Sequence, residues 1–235
     1  MLKTERMDRV RAALRAQGLT QMIVCDPKSV WYLTGVAVEP YERLLALYLP
    51  TEGEPVLFLN RLFNVPEPPC RTVWHTDTDK PVAQIAEVVD AGKPLGIDKE
   101  WPARFLIPLM ETHPGMQVVL SSDCVDDCRA CKDAEEQSLM REASRINDAV
   151  NEAAKHYIKA GMTEREVAEF IDAQFRAHGC EGPSFTTIVS FGANAADPHH
   201  EPDDTVLKEG DCVLFDMGCV KSRYCSDMTR TWFCG

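Results

Sequence analysis

The chain lacks any apolar run approaching the ~18 residues of a membrane-spanning helix, so no membrane partner is expected. Positive charge is scarce: 25 Lys and Arg stand against 37 Asp and Glu, a net charge of -12. Nucleic acid and anionic lipid surfaces both require clustered Lys and Arg, so neither is expected as a partner. The opening residues, Met1 to Asp8, include Glu5 and Asp8 and have no apolar core, unlike an export signal. A cytoplasmic location is therefore expected. Internal repeats and low-complexity stretches are also missing. What remains, 45% apolar and 26% charged residues over 235 positions, is the make-up of a soluble globular protein with one large or two small domains. Cysteine, by contrast, is plentiful. Without an export signal the ten cysteines are read as free thiols rather than a disulfide framework.

The first half alternates between helix and strand patterns. Met7, Val10 and Leu14 share a helical face that Gly18 would end, and Met22 to Cys25 reads as a short buried strand. Leu44–Leu49 and Pro55–Leu59 flank Thr51-Glu52-Gly53-Glu54 as a hairpin. An amphipathic helix carrying Val82, Ile85, Val88 and Val89 leads to the strand Leu95–Ile97, then a helix near 103–111 and a strand over 117–120. This is an α/β unit. Beyond Cys131 the texture changes. A long helix over 133–160 carries Leu139, Ala143, Ile146 and Val150 as its stripe, and Thr163-Glu164-Arg165-Glu166 forms a capping box opening a second helix through Phe175. Strands follow over 186–191, 212–217 and 224–233. The natural cut is near residue 130, giving domains 1–130 and 131–235.

Asp216 and Asp227 constrain the chemistry most. Both lie in apolar, β-prone surroundings, with a turn read between them over 218–223. Folding about the Lys221–Ser222 bond would set the two aspartates face to face, with Cβ atoms roughly 4.5–5.5 Å apart. On buried strands such a pair calls for a cation between its members; on a surface hairpin, or with the register slipped by one residue, it does not. His199 and His200 follow a loop punctuated by Gly192, Asn194 and Pro198, where a histidine pair is more often a polar surface turn than a set of ligands or acid–base groups. Cys124, Cys128 and Cys131 have a C-x3-C-x2-C spacing compatible with a three-thiolate iron–sulfur or zinc site. However, Ala130 rather than an aromatic precedes the last cysteine, and the trio falls at the domain junction.

Several segments together resemble the pita-bread metallopeptidases, the family of prolidase, aminopeptidase P, methionine aminopeptidase and creatinase. They are Tyr32-Leu33-Thr34-Gly35, the helix start Lys132 to Glu136, Pro198-His199, Leu207 to Asp211, Phe215 to Gly218, and Tyr224 to Thr231 with its D-x-T-R-T ending. The resemblance to the prolidase and aminopeptidase P branch runs over essentially the whole chain. It implies α/β and α+β classes: a creatinase/prolidase-like amino-terminal α/β domain followed by the first half of a pita-bread catalytic domain. It implies that Asp216 binds one metal, that Asp227 bridges two, and that His199 lies beside the substrate and stabilises the developing tetrahedral species; His200 receives no role. Two divalent metal ions (Mn, Co or Zn) roughly 3.5–4 Å apart would yield a metal-bridged hydroxide that attacks the peptide carbonyl.

By the same resemblance the substrate is a peptide cut next to proline, as by an Xaa-Pro dipeptidase or aminopeptidase, and the intact protein is a homodimer. The family completes its site with a later histidine and two glutamates, yet Met228 to Gly235 contain no His, Asp or Glu. Half a site and an exposed sheet edge are therefore expected, as in an incomplete chain. A non-catalytic binding protein on the same scaffold and a creatinase-like hydrolase of a small C–N substrate are the alternatives.

Overall fold

The computed structural model describes residues 2–235, which form two units, one ending at Cys131 and one spanning Lys132–Gly235. In the first unit, helix α1 (Thr4–Ala16) buries Met7, Val10 and Leu14, and Gly18 ends it with a left-handed φ of 72°. Strand β1 (Gln21–Val24) is buried throughout. Asp26 caps helix α2 (Pro27–Thr34) by accepting from the Lys28 and Ser29 amides, Pro27 opens it, and Gly35 closes it at φ 76°. Strands β2 (Ala46–Pro50), β3 (Val56–Asn60) and β4 (Arg71–His75) follow, then helix α3 (Pro81–Ala86), β5 (Leu95–Ile97), helix α4 (Ala103–Thr112), β6 (Val118–Leu120) and helix α5 (Asp123–Ala130).

The six strands form one mixed sheet in the order β4-β3-β2-β1-β5-β6, with β2 antiparallel to both of its neighbours and the other pairs parallel. Alternation along the strands separates two cores. Met22, Val24, Leu47, Leu49, Leu57 and Leu59 pack with α1, α2 and α5 residues, whereas Ile23, Ala46, Val56 and Phe58 pack with Ile85, Val89 and Leu109 from the α3–α4 side. A sheet buried on both faces explains why β1 and β3 read as continuous apolar runs. This unit is a three-layer α/β sandwich.

The second unit opens with helix α6 (Ala134–Tyr157), which Asp133 and Glu136 start as a capping box. Thr163 and Glu166 do the same for helix α7 (Glu164–Ala177). Strands β7 (Gly182–Pro183) and β8 (Ile188–Phe191), a 3₁₀ turn over Gly192–Ala196, and strands β9 (Cys212–Met217), β10 (Cys219–Lys221), β11 (Tyr224–Cys225) and β12 (Met228–Phe233) complete it. Two three-stranded sheets result, β12-β9-β8 and β11-β10-β7. Val213, Phe215 and Met217 of β9 point into a core with Ala143, Val150 and Ala154 of α6 and Val167, Ile171 and Phe175 of α7. Tyr157 and Phe170 stack between the helices at 3.8 Å. The alternate β9 residues, Cys212, Leu214 and Asp216, lie half-buried on the other face.

The stretch expected as a single strand over 224–233 is broken at Ser226 and Asp227, and its partner is broken at Gly218. Ser184 is bonded at both breaks. Its amide donates to the Gly218 carbonyl at 3.0 Å, and its hydroxyl donates to the Ser226 carbonyl at 2.8 Å. A Cβ at position 218 would lie 2.0 Å from the Ser226 oxygen, so only glycine admits this approach. Through the kink the hairpin passes from one sheet to the other.

Candidate active site

The hairpin turns at Ser222 and Arg223, both with positive φ (50° and 66°), and Lys221 pairs with Tyr224. This lies one bond later than the fold about Lys221–Ser222 and corrects the face-to-face pairing. Asp216 is opposite Thr229, and Met217 is opposite Met228. One step further along the same register, Asp227 stands opposite Gly218; beyond it, the Ser226 amide donates to the Cys219 carbonyl at 2.9 Å. Asp216 and Asp227 are thus diagonal neighbours on one face, with Cβ atoms separated by roughly 7–8 Å or somewhat less.

That face is not the helix-covered one. Asp216 is half-buried, whereas Asp227, Thr229 and Thr231 are exposed, which corrects the expectation of a buried pair. The Thr229 hydroxyl donates to one Asp216 oxygen at 2.9 Å. The opposite side of β12 is tied down by Trp232, which meets Phe215 edge-on at 4.8 Å. Two carboxylates on one open sheet face are hard oxygen donors suited to a divalent cation, although they supply fewer ligands than such an ion takes.

The two histidines part company. His199 is exposed, and its backbone amide donates to an Asp197 carboxylate oxygen at 2.9 Å. His200 turns inward, its Nε2 lying 2.6 Å from an oxygen of Glu164, a carboxylate with no exposed surface. With that distance the imidazole N–H donates to the carboxylate, which fixes the proton on Nε2. The other Glu164 oxygen accepts from the Phe191 amide at 2.7 Å and from the Asn194 side-chain amide at 3.0 Å, and the Asp203 amide reaches the His200-facing oxygen at 3.2 Å.

Among the described residues, Glu164, His200 and Asp203 are the group whose three ligand atoms gather within 4.8 Å, close enough to hold a metal ion. The Thr205 hydroxyl and amide hold the Asp203 carboxyl below its ordinary value. Motif reading assigned none of these three a role; the signal was there only as Glu164 within the capping box and as the second of two adjacent histidines. In contrast, Cys124, Cys128 and Cys131 form no such group. Cys124 and Cys128 pack against the first core, and burial pushes the Cys124 thiol up to about 11 and raises Cys128 as well, away from the thiolate a metal needs.

Residues 6–131 match the Creatinase/Prolidase N-terminal domain, and residues 138–235 match Metallopeptidase family M24. The chain belongs to the creatinase/prolidase metallopeptidase family. Family M24 is dependent on divalent metals. The backbone of this creatinase/prolidase chain is similar to that of a prolidase from Thermococcus sibiricus, with a TM-score of 0.89 and 29% identity over 98% of this chain and 65% of the other. It is also similar to a dipeptidase from Mycobacterium ulcerans, with a TM-score of 0.88 and 30% identity over 98% of this chain and 64% of that one. An uncharacterized peptidase of Staphylococcus epidermidis is 31% identical over 230 residues, 94% of this chain. The chain spans 64% of the length of that relative. No helix among the described residues is long and apolar enough to cross a membrane.

Proposed function

We propose that this chain carries the substrate-side histidine and the first two metal-binding carboxylates of an exopeptidase that cleaves bonds next to proline. The observation that carries the reading is the placing of Asp216 and Asp227 on one open face of the β9–β12 hairpin, Asp227 opening the D-x-T-R-T segment that resembles the family's. The names of its structural neighbours, a prolidase and a dipeptidase, support peptide substrates of this kind. In this reading Asp216 and Asp227 hold divalent cations, Thr229 fixes the free rotation of the Asp216 carboxylate, and His199 donates a hydrogen bond to the substrate oxygen that gains charge. The cations, when bound, supply an activated water and polarise the carbonyl.

The test is a metal titration and a substrate panel. The intact protein, with the later ligands that the family resemblance implies, is loaded with Mn(II), Co(II) or Zn(II) and offered Xaa-Pro dipeptides, longer peptides with proline second, and creatine. Metal-dependent release of the residue before proline is expected, with chelator abolishing it. Loss of an outer-shell partner of a metal ligand already costs 10–100-fold in metal affinity or activity, so Asp227→Asn should cost more than about 100-fold. Normal metal content and turnover in that variant, or turnover of creatine alone, would overturn the assignment.

A further inference from the structure

We propose that Glu164 is the positioning residue of the loop that presents His199, acting through His200; the inference rests on the role proposed above for His199. Four donors converge on its two oxygens, and they come from both ends of one loop. Phe191 and Asn194 stand where the loop leaves β8, and His200 and Asp203 stand where it returns to α7. A single buried carboxylate thereby closes the loop, with His199 between its two attachment points.

The surroundings explain why a carboxylate is tolerated there. Glu164 is the first residue of α7, where free backbone amides and the helix dipole favour negative charge. Its own amide and that of Arg165 are taken up by the carbonyls of Thr205 and Asp203, each at 3.1 Å. The returning strand of the loop is thus zipped onto the helix start, and Thr163 pairs with Val206. The four donors saturate the carboxylate, which makes this group a hydrogen-bonded clasp rather than a metal site. Pro198 and His199 are the central residues of a turn that the His200 amide closes by donating to the Asp197 carbonyl at 3.3 Å, with His199 exposed at its tip. Fixing the His200 ring inward on Glu164 therefore anchors the last residue of that turn and holds the exposed His199 in place, where a substrate can reach it. Freed of the clasp, His199 would sample several orientations, and a catalytic group displaced by about 1 Å can lose on the order of 100-fold in rate.

The experiment uses the full chain without metal or substrate, so that its outcome is independent of whether the chain hydrolyses anything. Hydrogen exchange and imidazole ¹⁵N spectra are compared for wild type, Glu164→Gln, His200→Gln and His200→Phe. Glu164→Gln should speed exchange at Phe191 and Asp203 at least tenfold, shift the His200 Nε2 signal and broaden the His199 ring signals, with β9 and α6 protection unchanged. His200→Gln, which keeps a donor at the Nε2 position, should behave as wild type, whereas His200→Phe should release residues 197–203 alone. Should Glu164→Gln unfold the unit altogether, the two His200 variants decide the matter. Unchanged exchange and unchanged His199 spectra in Glu164→Gln, or indistinguishable His200→Gln and His200→Phe, would overturn the proposal. Where the wild type does hydrolyse Xaa-Pro dipeptides, His200→Phe should lower kcat at least tenfold with metal content unchanged, and His200→Gln should restore it. Absence of hydrolysis by the intact wild-type protein would sink the functional reading while leaving the loop result to stand.

Discussion

Gly218 sets where Asp227 lies relative to Asp216, because the kink it permits brings the chain across from β9 to β10 beside Ser226. An added methyl group would sit 2.0 Å from the Ser226 carbonyl oxygen and 2.2 Å from the Ser184 hydroxyl. The serine side chain can rotate away, but the carbonyl cannot move without moving Asp227. Overpacking of this kind costs roughly 1–3 kcal/mol, and here the obstacle is backbone, so Gly218→Ala should lose about 3 kcal/mol. Denaturant titration measures this directly; a midpoint equal to wild type would show that the close approach does not matter. Both aspartates could be read from the sequence as a chemically unusual pair. Their facing could not, because the turn at Ser222 and Arg223 uses two left-handed residues without the Gly or Asn that normally announces them.

Among the elements, α6 and α7 were legible because their stripes and caps are local signals. Ala143 and Val150 lie in the core as the 3.6-residue period requires, and the Thr163 capping box forms, while Asp133 and Glu136 form a second one that the sequence reading did not name; each cap accepts from the amide three residues on. The stripe did not show that Asn147 is also buried there, its amide donating to the Met217 carbonyl at 2.9 Å and tying α6 to the end of β9. Helix α2, strand β4 and helix α5 escaped the pattern reading because each is short and only partly apolar. Asp133→Ala and Thr163→Ala should each lower stability by about 1 kcal/mol, the usual worth of a cap, as read from denaturant unfolding of the second unit. The Thr163 change carries a further expectation. Because its helix start also holds the Glu164 clasp, it should speed amide exchange at Asp203, whereas Asp133→Ala should not. Equal exchange in the two variants would separate the clasp from the cap.

At the scale of the molecule, each unit has its own core, and helix and strand patterns alternating along the chain were enough to foresee an α/β first unit. The Glu164–His200 contact joins residues 36 apart in sequence, and no local rule points to it. Opposite linkages to pH give a way to follow the first unit separately. Asp98 is buried, and its oxygens accept from the amides of Cys25, Asp26 and Glu100, joining the end of β1 to the end of β5. Burial outweighs those amides and pushes its carboxyl from 3.8 up to about 6. A pKa raised in the folded state means that folding favours the protonated form. The stabilisation is complete below 3.8 and is lost as pH rises through 6, amounting to about 3 kcal/mol. Asp77 and Asp79 in the same unit, and Asp203 in the other, have carboxyls held below their ordinary value by hydrogen bonds. Their contribution is present above 3.8 and is lost only as pH falls below it, so it leaves the window between 3.8 and 6 to Asp98. Asp98→Asn cannot ionise. It should lose about 1–3 kcal/mol at pH 4, because an amide nitrogen replaces one acceptor oxygen. It should also flatten the fall in stability between pH 4 and pH 7. Exchange resolved by segment at those two pH values tests this, with β1 and β5 responding to the substitution and β8 and β9 keeping their wild-type protection. A slope between pH 4 and pH 7 that survives in Asp98→Asn would mean that another group carries it.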